Sequence, residues 1–241
     1  KGLQGDHPKY YKVLSAPKHF VANNEEYRRH SGSSEVPMKV LRDYYLPAFK
    51  SSIVDAGAQS IMTAYNALNG IPCTANTFLL KDILRNEWQF PGWVVTDCGA
   101  IYDIHVNHKY VDDPVQAVAL SLRAGTDLNC GSYFRLHLKD AFDQGLVTME
   151  DIDQALLRIF VTRIKLGVFD PPSMNPYSKI SKDVVDSKHH QELAHEIALQ
   201  SIVLLKNEND ILPLQKNIKS VAVIGPNANF CRFGTYSGKS S

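Results

Sequence analysis

No Cys-x-x-Cys occurs in this sequence, no Asn-x-Ser/Thr, and no Gly-x-Gly-x-x-Gly after the first apolar run. The first absence removes zinc ribbons and thioredoxin-like redox motifs. The second removes any acceptor for an N-linked glycan, and the third weakens a dinucleotide-binding reading. Four cysteines are present, Cys73, Cys98, Cys130 and Cys231. Their spacing suits neither a metal site nor a disulfide framework, so free, buried or half-buried thiols are expected. An excess of charge of one sign is also missing. The net charge of +1 argues against a nucleic-acid or membrane-surface partner. No apolar run approaches the roughly 20 residues of a membrane span. The N-terminal stretch has neither an apolar h-region nor an initiator Met, so a processed or cut piece is expected.

What is present is ordinary for a globular chain, 44% hydrophobic and 21% charged residues over 241 positions, enough for one or two domains. The first 130 or so residues alternate between strand-like and helix-like patterns. Strands are expected at 10–20, 58–70 (ending in an Asn69-Gly70 turn), 92–97 and 126–130. Helices are expected at 38–57, at 76–90 with Asn76 or Thr77 as cap, and at 113–125 with Asp113 as cap and Gly125 as stop. Strand ends at 18, 65, 97 and 128 are separated by roughly 30–47 residues, the pitch of βα units. Either a doubly wound sheet or a (β/α)8 barrel follows from this pattern. Helices at 132–145 and 148–167 come next, the latter capped by Thr148, then a Pro/Ser-rich linker at 168–181. Beyond it, 189–207 reads as a helix running into a strand and 217–229 as a buried strand. Residues from about 183 onward open a second domain with too few elements to close a core.

Polar side chains gather where the strands end: Lys18 and His19, Tyr65 and Asn66, Asp97, then Asp127 and Asn129. In parallel α/β architectures these ends share the ligand-bearing face. A desolvated Asp97 suits a nucleophile or general base, or a capping or ion-paired carboxylate. Lys18 suits a Schiff-base amine, a donor to a hydroxyl, or a structural ion pair. His19 suits a base or a satisfied core histidine. The loop 22–34 offers Arg28 and Arg29 to a hydroxylated ligand, or is a solvated loop with internal ion pairs. His105 and His108 form a His-x-x-His near Asp103, but no third metal ligand can be placed, so no metal and no cofactor is expected.

The segments "KHF", "SIMTAYNALNG", "GWVVTDCGAI", "AGTDLNCG" and "IALQSIVLLKNENDILPL", in that order, resemble glycoside hydrolase family 3, over most of residues 11–227. The resemblance implies a (β/α)8 barrel followed by an α/β sandwich, here residues 1–167 and the start of the sandwich at 183–241, with a linker at 168–182. It implies a retaining exo-acting β-glycosidase with Asp97 as nucleophile. Lys18, His19, Arg29 and Tyr65 fall on positions that line the −1 sugar subsite. The Cys98 form after the nucleophile is similar to the β-xylosidase and related β-glucosidase branch. The expected substrate is a β-linked xylosyl or glucosyl oligosaccharide or aryl glycoside, and an extracellular or periplasmic location is implied. The family's upstream Asp and Arg and its acid/base Glu have no counterpart here, so the chain is expected to be an inactive central slice. A Schiff-base lyase using Lys18 and a non-catalytic sugar-binding fragment are the alternatives.

Overall fold

The computed structural model describes residues 2–230, 234 and 236, and the chain divides into two units, Lys1–Ile180 and Ser181–Ser241. In the first unit, strand Ser60–Met62 pairs in parallel with Trp93–Val95, Ser60 opposite Trp93 and Met62 opposite Val95. Parallel bridges extend the array on both sides, Phe20 to Thr63 and Val95 to Leu128. The order across the array is therefore 20, 63, 95, 128, each within two residues of the strand ends expected at 18, 65, 97 and 128. The regular strands are shorter than expected. The 10–20 stretch runs beside Ser60–Met62, with Met62 N–H donating to the Pro17 carbonyl at 3.1 Å and Phe20 N–H to the Met62 carbonyl at 2.9 Å. Prolines at 8 and 17 donate no backbone bond, so this edge never becomes a regular ladder. The expected 58–70 strand breaks after Met62, and Ala67–Leu68 instead forms a hairpin with Ile71–Pro72. Its turn is Asn69-Gly70, both at positive φ, the conformation a two-residue hairpin requires. Ser33–Ser34 pairs in parallel with Ala67–Leu68.

Helices connect the strands. Residues 38–55 are helical, with α turns at Met38–Val40 and Pro47–Lys50 and wider π turns at Leu41–Tyr45 and Ser51–Asp55. Phe78–Glu87 is also π-type, and the Asn76 side chain accepts from Leu79 N–H at 3.2 Å. Pro114–Ala124 is α-helical: Asp113 accepts from Val115 and Gln116 N–H, and Gly125 ends it at φ 116. Met149–Lys165 starts in a capping box between Thr148 and Asp151. One core joins Phe20, Ile61 and Val94 of the strand array to Leu41, Leu80, Ile83, Leu84 and Trp88 of the helices. A second forms among Ile101, Ile104, Val118, Leu122, Ala141 and Ala155. Each fully buried Leu or Ile contributes about 1.5–3 kcal/mol. After Met149–Lys165 the chain makes short 3-10 turns at Pro172–Met174 and Pro176–Lys179, bonded back through Asn175 to the Leu166 carbonyl at 2.9 Å.

In the second unit the helix Lys188–Ser201 is present, capped by Ser187. The strands expected after it and at 217–229 are not: no strand occurs among this unit's described residues. Their apolar side chains stay in solvent, Ile224 at 91% exposure. Alternating apolar residues specify a strand only when a neighbour supplies the ladder, and no neighbour is described here. Among the described residues, no helix is long and apolar enough to cross a membrane.

Candidate active site

Asp97 stands where the strand Trp93–Val95 runs out. Val94 and Val95 are buried, and Thr96 N–H still donates to the Leu128 carbonyl at 3.0 Å. The chain then turns on Gly99 at φ 86, a left-handed conformation that favours glycine, and enters helix Ala100–Val106. Ala100 N–H donates to the Asp97 carbonyl at 3.0 Å. This reversal leaves the carboxylate at the end of the array, buried to 8% exposure. Its Oδ1 accepts from Cys98 N–H at 2.8 Å. Its Oδ2 lies 3.1 Å from His19 Nε2.

The charge state of His19 decides what that contact is. Burial lowers its pKa; the Asp97 charge opposes this, and Lys18 and Arg29 add to it. At neutral pH the ring is therefore neutral, and Nε2–H donates a hydrogen bond rather than completing an ion pair. Lys18 itself is exposed, and its peptide bond to His19 is cis, as is that between Phe20 and Val21. Tyr65 completes the group: its hydroxyl donates to the Cys98 carbonyl at 2.9 Å. Burial first, then the nearby Asp97 charge, push its pKa up to about 12. Arg29 places its guanidinium 5.0 Å from the Tyr65 ring centroid, a cation–π distance. Arg28 turns away to Glu25 at 3.1 Å, while Arg29 also pairs with Glu26 at 2.9 Å. The fold thus gathers His19, Arg29 and Tyr65 around Asp97, with Lys18 at the edge.

Other expectations are corrected. Cys98 and Cys130 are not free thiols; they form a disulfide across 32 residues of sequence. The parallel register that sets Val95 beside Leu128 brings the two loops together, and Gly99 N–H donates to the Cys130 carbonyl at 2.8 Å. Spacing read along the chain does not contain that register. Cys73 is a buried free thiol, its pKa pushed up to about 12 by burial, and Cys231 lies outside the described residues. Asp127 does not join the face that carries Asp97. It accepts from Val94 N–H at 2.8 Å, Arg85 at 2.7 Å and Arg158 at 2.8 Å. Burial pushes its pKa up, and the two guanidiniums oppose that push. Asn129 donates to the Thr96 hydroxyl at 3.2 Å, and Asn66 braces backbone by donating to the Ala67 carbonyl at 2.9 Å. The His-x-x-His separates: His108 Nε2 lies 2.8 Å from the Tyr65 carbonyl, while His105 packs against Tyr102 and Tyr133. No cluster of metal-ligating side chains occurs among the described residues. A cavity of about 300 Å³ lined by Arg42, Leu46, Lys50 and Trp88 contains none of the strand-end residues.

Of two further residues beside the site, His30 was not singled out from the sequence, and Asp103 was noted only as a neighbour of the His-x-x-His. His30 lies 4.3 Å from the Tyr65 ring, centroid to centroid, and Asp103 lies 2.7 Å from His30. Nothing local marks a partnership across 73 residues.

Profiles of known families match in two places. The Glycosyl hydrolase family 3 N terminal domain covers residues 1–162, and the Glycosyl hydrolase family 3 C-terminal domain covers residues 202–241. The chain belongs to glycoside hydrolase family 3. This family 3 chain is 42% identical to a probable exo-1,4-beta-xylosidase of Aspergillus clavatus, over 98% of its own length and 32% of that protein's. It is 39% identical to a xylan 1,4-beta-xylosidase of Xylanibacter ruminicola, over 99% and 28%. It superposes on a family 3 exo-beta-xylosidase in complex with a xylobiose aziridine activity-based probe, with TM-score 0.88, 38% identity, and coverage of 94% and 30%. A Listeria innocua beta-glucosidase in complex with glucose gives TM-score 0.75, 31% identity, and coverage of 84% and 28%. The chain spans about a third of the length of the curated relatives it matches.

Proposed function

We propose that this chain is part of a retaining exo-acting β-glycosidase that releases non-reducing-end β-D-xylosyl or β-D-glucosyl residues. The observation that carries the reading is Asp97: a buried carboxylate at a strand end, held by a neutral imidazole and one amide N–H with the Tyr65 hydroxyl beside it, and paired with no guanidinium among the described residues. Such a carboxylate is oriented without being locked in an ion pair, which leaves it free to attack carbon. The family 3 relatives named as β-xylosidases and β-glucosidases support the same reading.

In this reading the Asp97 carboxylate attacks the anomeric carbon as the bond to the leaving oxygen breaks, forming a glycosyl ester. A second carboxyl group, the acid/base, protonates the leaving oxygen; no residue of this chain is assigned to it. It then takes a proton from water, which cleaves the ester, restoring Asp97 and the original anomeric configuration. Lys18, His19 and Arg29 hold sugar hydroxyls, and Tyr65 supports the nucleophile. The fold reading that goes with it takes 1–167 as part of a (β/α)8 barrel, 168–182 as linker, and 183–241 as the opening of an α/β sandwich. The disulfide supports an extracellular or periplasmic site of action. A Schiff-base role for Lys18 has less support, since activation of such an amine needs a desolvating pocket and Lys18 is exposed.

A 2-fluoro-β-xyloside with a good leaving group should label full-length enzyme on the peptide holding Asp97. A turning-over enzyme labelled elsewhere overturns the assignment. A borohydride-trapped adduct on Lys18 favours the lyase, and sugar binding without labelling favours a binding fragment. The 241-residue chain by itself is expected to be inactive; turnover of an aryl xyloside abolished by Asp97→Asn would overturn that and support the nucleophile.

A further inference from the structure

We infer that Asp103 and His30 form a positioning pair that fixes Arg29 and Tyr65 beside Asp97; this rests on the glycosidase reading above. Asp103 sits in the first turn of Ala100–Val106, the helix that leaves the Asp97 turn, and its side chain is only 3% exposed. A carboxylate buried that far needs hydrogen-bond donors. It has the Asn107 side-chain amide on Oδ1 and His30 Nδ1 on Oδ2, the latter at 2.7 Å.

The other His30 nitrogen settles the direction of the chain. Arg29 Nε lies 3.3 Å from His30 Nε2, and a guanidinium only donates. Nε2 is therefore the acceptor, so the imidazole proton is on Nδ1 and goes to Asp103. Asp103 orients His30, and His30 orients Arg29 at Nε, leaving the guanidinium face against the Tyr65 ring. The His30 ring packs against Tyr65 as well. Through this pair, the helix behind the nucleophile sets the loop that bears Arg29. A pair that only satisfied a buried carboxylate would not act through Arg29.

The test is kcat/KM for an aryl β-xyloside in full-length enzyme carrying His30→Ala, His30→Gln, Arg29→Ala and the double variant His30→Ala/Arg29→Ala. His30→Ala should cost about tenfold, mostly in KM, but less than about threefold when Arg29 is already Ala, because residues in one network do not add. Gln retains an acceptor for Arg29 and should restore most of the loss. The same factor in both backgrounds, or no loss, overturns the pair. Nitrogen NMR of the enzyme with labelled His and Arg gives a reading without activity. His30 should show the Nδ1–H form, and Arg29 Nε–H should exchange slowly until His30→Ala removes its acceptor. A His30 in the Nε2–H form overturns the pair even if no glycoside is turned over. Absence of turnover in the unmodified enzyme strikes the glycosidase reading alone.

Discussion

Asp97 and Asp127 are buried to nearly the same degree, 8% and 5% exposed, and both touch the segment that holds Trp93–Val95. Each accepts one backbone N–H, but their side-chain partners differ. Asp127 is held by Arg85 and Arg158 from two helices and by Val94 N–H. Arg85 in turn donates to the carbonyls of Phe90 and Gly92, at 2.8 and 2.5 Å. Asp97 has the His19 imidazole and the Cys98 amide, with the Tyr65 hydroxyl beside it. Depth alone does not separate the two carboxylates; what donates to each does. Two guanidiniums occupy a carboxylate's lone pairs and cancel its charge, whereas a neutral donor orients it and leaves the charge available.

Exchanging amide for acid at each position breaks the comparison most directly. Asp97→Asn should lower kcat of the full-length enzyme at least about a thousandfold, the scale of losing a nucleophile, with Tm nearly unchanged. Asp127→Asn should do the reverse. Leaving two guanidiniums facing a neutral amide should cost about 3–5 kcal/mol of stability, read by urea unfolding, while the folded fraction keeps its kcat. Equal Tm losses for the two variants would erase the distinction. Next in size is the disulfide that adjoins Asp97: replacing Cys98 and Cys130 with Ser should cost about 2–4 kcal/mol, again by urea unfolding. The smallest effect concerns His19. Its folded pKa lies below the ordinary 6.5, so as pH falls through 6.5 the unfolded chain takes up a proton that the folded chain refuses. Stability present above pH 6.5 is therefore lost on the way down to the folded pKa. The slope of Tm against pH in that window should be shallower in His19→Gln; an unchanged slope would assign it to other groups.

The parts of this picture legible in the sequence are those set by neighbours along the chain. The Asp113 cap lies two and three residues from its donors, the Thr148 capping box spans three residues, and Asn69-Gly70 dictates its own turn. The strand end at Asp97 was legible because an apolar run stops there. What was not legible depends on register. Arg85 and Asp127 are 42 residues apart, Cys98 and Cys130 32, and His30 and Asp103 73. Each pair meets only because parallel strands with helical connections return the chain to the same end. The 217–229 segment failed in the opposite sense, its alternation being real but its pairing partner not supplied.

The Cys98–Cys130 bond also changes the connectivity of the polypeptide. It closes a ring that contains helices Ala100–Val106 and Pro114–Ala124 in full. A protease cut anywhere inside that ring, for instance after the exposed Lys109 or Arg123, leaves both flanking strands joined through sulfur. The cleaved chain would migrate as one piece until a reductant was added. Asp97, just outside the ring, would keep its covalent link to everything that precedes and follows it.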